Sequence, residues 1–214
     1  MFKTAYLTAI LLTIFMQASS SQTKKILIII GSAADSARAE KKGIDAVSSA
    51  TMQIKGYEGE STIEIADSIK AYFEKNECSA TVVRSDEPAA GITEADLIVI
   101  GSSIVAGSPN KTVTAFIDSN RTILSKKKVA VFAACAFTTS SRKRKKARSQ
   151  KYADKVANGL STISTYVFAG YIPDAGGFLN FVAYRLMFGV HHGDFRDWEL
   201  IERWSKYLLE QINE

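Results

Sequence analysis

The chain has 214 residues, 46% of them hydrophobic, and a formal net charge of +5. That length suits one domain with a sizeable core. Much of the positive excess sits in one short run, and two cysteines, Cys78 and Cys135, do not make a disulfide framework.

The N-terminus, "MFKTAYLTAILLTIFMQASSSQ", carries one lysine, an apolar run from Ala5 to Met16 and then small residues. This is the layout of a secretory signal peptide, with an apolar run too short for a comfortable membrane span. Residues 1–20 are therefore expected to be removed, leaving 21–214 as one exported domain. No cysteine follows the run, so a lipoprotein anchor is not expected.

"KKILIII" (24–30) opens the domain as a buried strand by its β-branched character. A strand-to-helix connection usually takes a handful of residues, but the one after Gly31 takes roughly thirty, rich in Ser, Ala and Gly. Residues 33–59 read as an insertion. A helix follows at 61–75, with Ser61 and Glu64 in capping-box spacing and Ile65, Ile69, Tyr72 and Phe73 on one apolar face. Further strands are expected at 79–85, 95–103, 127–136 and 164–172. Further helices are expected at 109–124, 148–160 and 197–212, the last presenting Trp198, Ile201, Ser205, Leu208 and Ile212 on one side.

Five near-continuous apolar strands alternating with helices imply an α/β fold, a doubly wound five-stranded parallel sheet with helices on both faces. Ligands on such sheets bind beyond the carboxyl ends of the strands, at the topological switch point. The loop after the third strand, "GSSIVAGSPNK", and the loop after the fourth, "AACAFTTS", are made of small and hydroxylic residues. Gly101, Ser102, Ser103, Gly107 and Ser108 let the backbone approach a flat ligand and offer it amides. Closing a tight turn is the simpler use of such residues; two such loops at neighbouring strand ends favour a ligand.

The order "ILIIIGS … STIEIADSIKAYF … ADLIVIGSSIVAGSPNKTVTAFI … KKVAVFAAC … DWELIERW" resembles the flavodoxin-like fold, over roughly residues 24–212. It is most similar to the flavodoxin-type protoporphyrinogen IX dehydrogenases (menaquinone), through "ADLIVIGSSIVAGSPN" and the Trp198–Glu199 pair. The resemblance implies FMN, with its phosphate on the first loop (Gly31, Ser32, Ser61, Thr62). Its ring system would lie between Gly101, Ser102, Ser103, Ile104 and Gly107 on one side and Ala134, Cys135, Ala136 and Phe137 on the other. Ser61 and Thr62 suit phosphate because a helix N-terminus offers free amides. Here only "GS" (31–32) and "EST" (60–62) match the ends of a flavodoxin phosphate loop. The third-strand loop also lacks the aromatic residue that often stacks on flavin in that family.

Within the insertion, "DAVSSAT" (45–51) resembles the motif of proteins with covalently linked FMN, in which a flavin transferase joins the FMN phosphate to a terminal hydroxyl. Asp45, Ser48, Ala50 and Thr51 match, whereas Ser49 stands where Gly is usual. Thr51 is the implied acceptor.

The run "SRKRKKARSQK" (141–151) holds seven Lys or Arg residues and no acid. A solvated loop is its plain reading; an anionic membrane surface met by 142–151 is its functional one. Nucleic acid is not expected, since no aromatic platform interleaves with the charges. Residues 171–190 are rich in aromatic and aliphatic side chains, and Phe178, Phe181, Val182, Arg185, Leu186 and Phe188 suit either core or a surface for membrane or quinone. His191 and His192 find no further metal ligands in the pattern. Three functions stay open. They are an exported FMN electron carrier serving a membrane quinone or redox protein, an enzyme oxidising protoporphyrinogen IX with a quinone acceptor, and a flavin-free binding module.

Overall fold

The computed structural model describes residues 23–32, 61–105, 107–172, 182, 185–186 and 189–214. The proposed signal peptide, the insertion with Asp45, Ser48 and Thr51, and most of the apolar segment 171–190 lie outside them.

The elements run β1 (Lys25–Gly31), α1 (Ser61–Lys75), β2 (Ser79–Arg84), β3 (Leu97–Val105), β4 (Ser108–Pro109) and α2 (Lys111–Leu124). They continue with β5 (Lys128–Ala134), a short 3₁₀ turn (Ala136–Thr139), α3 (Lys143–Ser149), α4 (Tyr152–Ala157), β6 (Ser164–Phe168), β7 (Tyr171–Ile172), β8 (Gly193–Asp194) and α5 (Trp198–Asn213). The five long strands form the expected parallel sheet in the order β2-β1-β3-β5-β6, and the direction in which strands are added reverses between β1 and β3.

The period of two in these strands builds both faces at once. Ile26, Ile28, Ile30, Leu97, Val99, Ala130 and Phe132 point to one face, where Ile65, Ile69 and Phe73 of α1 and Ile201, Trp204 and Leu208 of α5 cover them. Leu27, Ile29, Ile98, Ile100, Val129 and Val131 point to the other, under Val113, Phe116 and Ile117 of α2 and Tyr152 and Val156 of α4. Burial on both faces of the central strands β1, β3 and β5 is why they show no polar alternation, whereas the edge strands β2 and β6 are only half-buried. Phe168 meets Trp204 edge-on with centroids 5.5 Å apart, and Phe132 does so at 6.2 Å.

Four expectations need correcting. The strand expected at 164–172 ends at Phe168; residues 171–172 pair instead with β8 in a small antiparallel sheet. The helix expected at 148–160 is the shorter α4, Tyr152–Ala157, and the basic run whose plain reading is a loop forms a helix of its own, α3, over Lys143–Ser149. The last turn of α4 stops at Asn158 and Gly159, both in the left-handed region. In α5 the buried aromatic is Trp204, 5% exposed, whereas Trp198 is 43% exposed because it opens the helix beyond the core and stacks on Arg196. Ser61 does not close a capping box with Glu64: its hydroxyl accepts from Tyr171 N at 2.7 Å, and Glu64 pairs with Arg196.

Candidate functional site

The strand register sets out the carboxyl ends as rows. Gly31 lies beside Ser102, Ser102 beside Ala133, and Ser103 beside Ala134. Alternation then sends Ser102 to the α2 face and Ser103 to the α1 face.

On the α2 face the polar groups satisfy each other. Asn110 is the N-cap of α2, and its side chain accepts from Thr112 N and from Thr112 Oγ1, both at 2.9 Å. Its amide Nδ2 donates to the Ser32 carbonyl, and its backbone N–H donates to Ser102 Oγ at 2.9 Å. Ser102 Oγ in turn donates to the Ser103 carbonyl at 2.9 Å, and Ser85 and Thr112 share a hydroxyl bond of 2.6 Å. One buried asparagine thus ties the exits of β1 and β3 to the start of α2. Asparagine directly before an apolar-periodic helix is a readable N-cap signal, yet the bridge to Ser32 depends on tertiary placement.

On the α1 face the Ser103 hydroxyl oxygen is buried and has no hydrogen-bond partner among the described residues. Such a group costs about 1–3 kcal/mol when left unmet. Thr62, in the first turn of α1, is 3% exposed, and Ser32 is fully buried.

The small residues divide by role. Gly31 is required by packing: a Cβ there would lie 2.4 Å from Val113 Cγ2. Gly101 is likewise filled from across the sheet by the Phe132 ring. Gly107, at φ 81°, closes the two-residue turn that folds β4 back on β3, so the third-strand loop is a hairpin. Ile104 and Phe137 are half-buried and lean on the α2/α4 core. Ala134 and Cys135 are buried side chains, leaving their backbone as what a ligand can meet. Burial pushes the Cys135 thiol up to about 11, so it is a neutral core group and no nucleophile at neutral pH. Thr138 and Thr139 hydroxyls donate to the carbonyls of Cys135 and Ala136 within their own turn.

A family model matches the stretch from α1 to β7. The model described as "Flavodoxin domain" covers residues 57–173. The chain belongs to the flavodoxin domain family. Among solved structures it is similar to oxidised flavodoxin 1 from Bacillus cereus, at 16% identity and TM-score 0.50, over 88% of this chain and 98% of that one. It is also similar to rubredoxin oxygen:oxidoreductase from Desulfovibrio gigas, at 10% identity and TM-score 0.50, over 90% of this chain and 37% of that much longer one. At these identities the likeness is one of fold. No curated protein matches the chain by sequence. Among the described residues no helix is long and apolar enough to cross a membrane, and no three metal-ligating side chains cluster.

Proposed function

We propose that the chain is an exported FMN-dependent redox protein that passes electrons to or from a membrane partner, with FMN joined through its phosphate to Thr51. The observation that carries the FMN reading is the Ser103 hydroxyl, buried and without a partner among the described residues, at the carboxyl end of β3 beside the switch point. A flavodoxin domain lacking any ligand leaves that hydroxyl unexplained, which counts against a flavin-free binding module. The residues fit a flat group: Ser103 offers a donor and acceptor, and Ala134 to Ala136 offer backbone without bulk. The Asn110 bridge fixes where the chain leaves β1. FMN in that place supplies one- and two-electron transfer, while the protein binds, orients and sets the electrostatics.

Support for the phosphate link is the resemblance of "DAVSSAT" to the covalent FMN motif and its place in the connection between β1 and α1. A covalent cofactor also suits an exported chain, which could not readily replace a lost one. Mature protein co-expressed with a flavin transferase should stay yellow after acid precipitation, with FMN mass on the peptide holding Thr51. A colourless precipitate removes the covalent link. Failure to show a bound-flavin spectrum after FMN reconstitution removes the FMN reading itself.

Quinone-coupled oxidation of protoporphyrinogen IX is the second reading, favoured by Trp198 and Glu199 opening α5 as in the family it resembles. Anaerobic turnover with menaquinone by flavin-loaded protein supports it, and inactivity of the loaded protein removes it.

A further inference from the structure

The strongest charge on the molecule adjoins the candidate site. Arg142 and the helix α3 follow directly on the 3₁₀ turn after β5, and Lys145 lies 5.3 Å from the centroid of Phe137 in that turn. Every residue from Arg142 to Arg148 except Lys145 is exposed, and the buried residue of α3 is Ser149. Among the described residues Lys143, Arg144, Lys146 and Arg148 form no ion pair, although other surface cations of the chain do, as in Arg121–Asp118 and Lys70–Glu74. So dense a set of like charges repels itself and is relieved by an external anion.

An apolar group stands beside it. The Arg142 guanidinium donates to the Leu186 carbonyl, and the Ser141 amide donates to the Gly189 carbonyl at 2.9 Å. These bonds hold Leu186 against the basic segment at 63% exposure, the most exposed large apolar side chain among the described residues. Cations spread over all sides of a two-turn helix, with an adjoining exposed leucine, fit a diffuse anionic plane with an apolar layer beneath it. A protein partner with a few fixed carboxylates would leave most of these cations unmatched.

We infer that α3, Arg142 and Leu186 form a docking surface for an anionic lipid bilayer, which brings the carboxyl-end cleft close to the membrane. Near an anionic surface each cation contributes about fivefold in binding, and the leucine adds an apolar increment that salt does not screen. The surface stands independently of the flavin reading, because neither α3 nor Leu186 belongs to the cleft.

The test is co-sedimentation of the mature protein with vesicles of phosphatidylglycerol in phosphatidylcholine and of phosphatidylcholine alone, at low and high salt. Expected is binding to the anionic vesicles that weakens steeply with salt, and little binding to neutral ones. Replacing Lys143→Gln, Arg144→Gln, Lys146→Gln and Arg148→Gln together should weaken it more than about a hundredfold while leaving bound flavin and thermal unfolding unchanged. Leu186→Ser should cost a few-fold with the salt dependence intact. Equal binding to neutral vesicles, or an unaltered affinity in the fourfold variant, overturns the proposal. So does retention on an acidic polypeptide matrix combined with no binding to anionic vesicles, which would assign the patch to a protein partner.

Discussion

A Cβ built on Gly101 would meet Phe132 Cζ at 2.2 Å and Cε1 at 2.4 Å, at a position where no flexible side-chain tip can swing aside. Phe132 is fully buried and wedged against Phe168 and Trp204, with centroids 5.9 and 6.2 Å away. Gly101→Ala should therefore destabilise by about 1–3 kcal/mol or more, the usual range for overpacking a filled core. Urea unfolding measures it. The double variant Gly101→Ala with Phe132→Leu should cost less than the two changes added together, because the smaller side chain vacates the site of the clash. A strictly additive double would show that the ring does not need the glycine. By the same geometry, a glycine that the sequence suggests for ligand approach is used first for packing.

Among the elements, α2 shows most directly how a local rule acquires a second task. The Asn110 side chain caps the helix and also holds the Ser32 carbonyl 78 positions away in sequence. Asn110→Ala loses both, and Asn110→Ser keeps a competent cap but is too short to reach Ser32. Thermal or urea unfolding should place Ser about 1 kcal/mol above Ala, with a further loss of about 1–2 kcal/mol common to both variants for the unmet carbonyl. Equal stability of the serine variant and the native chain would mean the bridge contributes nothing. The sheet itself was legible because runs such as "ILIII" (26–30) and "LIVI" (97–100) are apolar at every position, which a sheet covered on both faces demands. The division of α3 from α4 was not, since "SQKY" has no Pro or Gly to mark it and helical propensity continues through the break. The phase of α5 is legible, with Ile201, Ser205, Leu208 and Ile212 buried as the spacing predicts, and only its first member, Trp198, lies beyond the core. Trp198 and Trp204 are both compatible with the heptad pattern, and only the place of the core decides which is covered. For the cleft, the loops carrying Ser102, Ser103 and Ala134 were found from strand ends alone, whereas Asn110 enters through a contact that no sequence spacing encodes.

At the scale of the whole molecule, three buried acid groups make alkaline pH the direction of weakness. The Cys135 thiol is pushed up to about 11 from an ordinary 9.0, chiefly by burial, and Cys78 and Tyr152 are raised for the same first reason. Each group is neutral when protonated, so the folded protein holds its proton more tightly than the unfolded chain does. That contribution is fully present below the unfolded pKa and is lost as pH rises through the folded one. For Cys135 the window runs from about 9 to about 11 and the loss is about 2–3 kcal/mol, taking 1.36 kcal/mol for each pKa unit. Stability measured by urea unfolding should stay level up to about pH 9 and fall over the next two units. Cys135→Ala isolates the thiol: its stability is lower at neutral pH by the lost packing, but its alkaline decline should be shallower by about 2–3 kcal/mol. If the variant declines as steeply as the native chain, the thiol is not the group responsible. The position makes this more than a stability statement, because Cys135 leads from β5 into the turn that walls the cleft, its amide bonded to the Phe168 carbonyl at 3.0 Å. Ionising the thiol forces a charge into that wall, so the spectrum of flavin seated in the site should give way to that of solvent-exposed flavin over the same pH window in the native chain and at higher pH in the alanine variant, with the flavin still tethered where the Thr51 link is made.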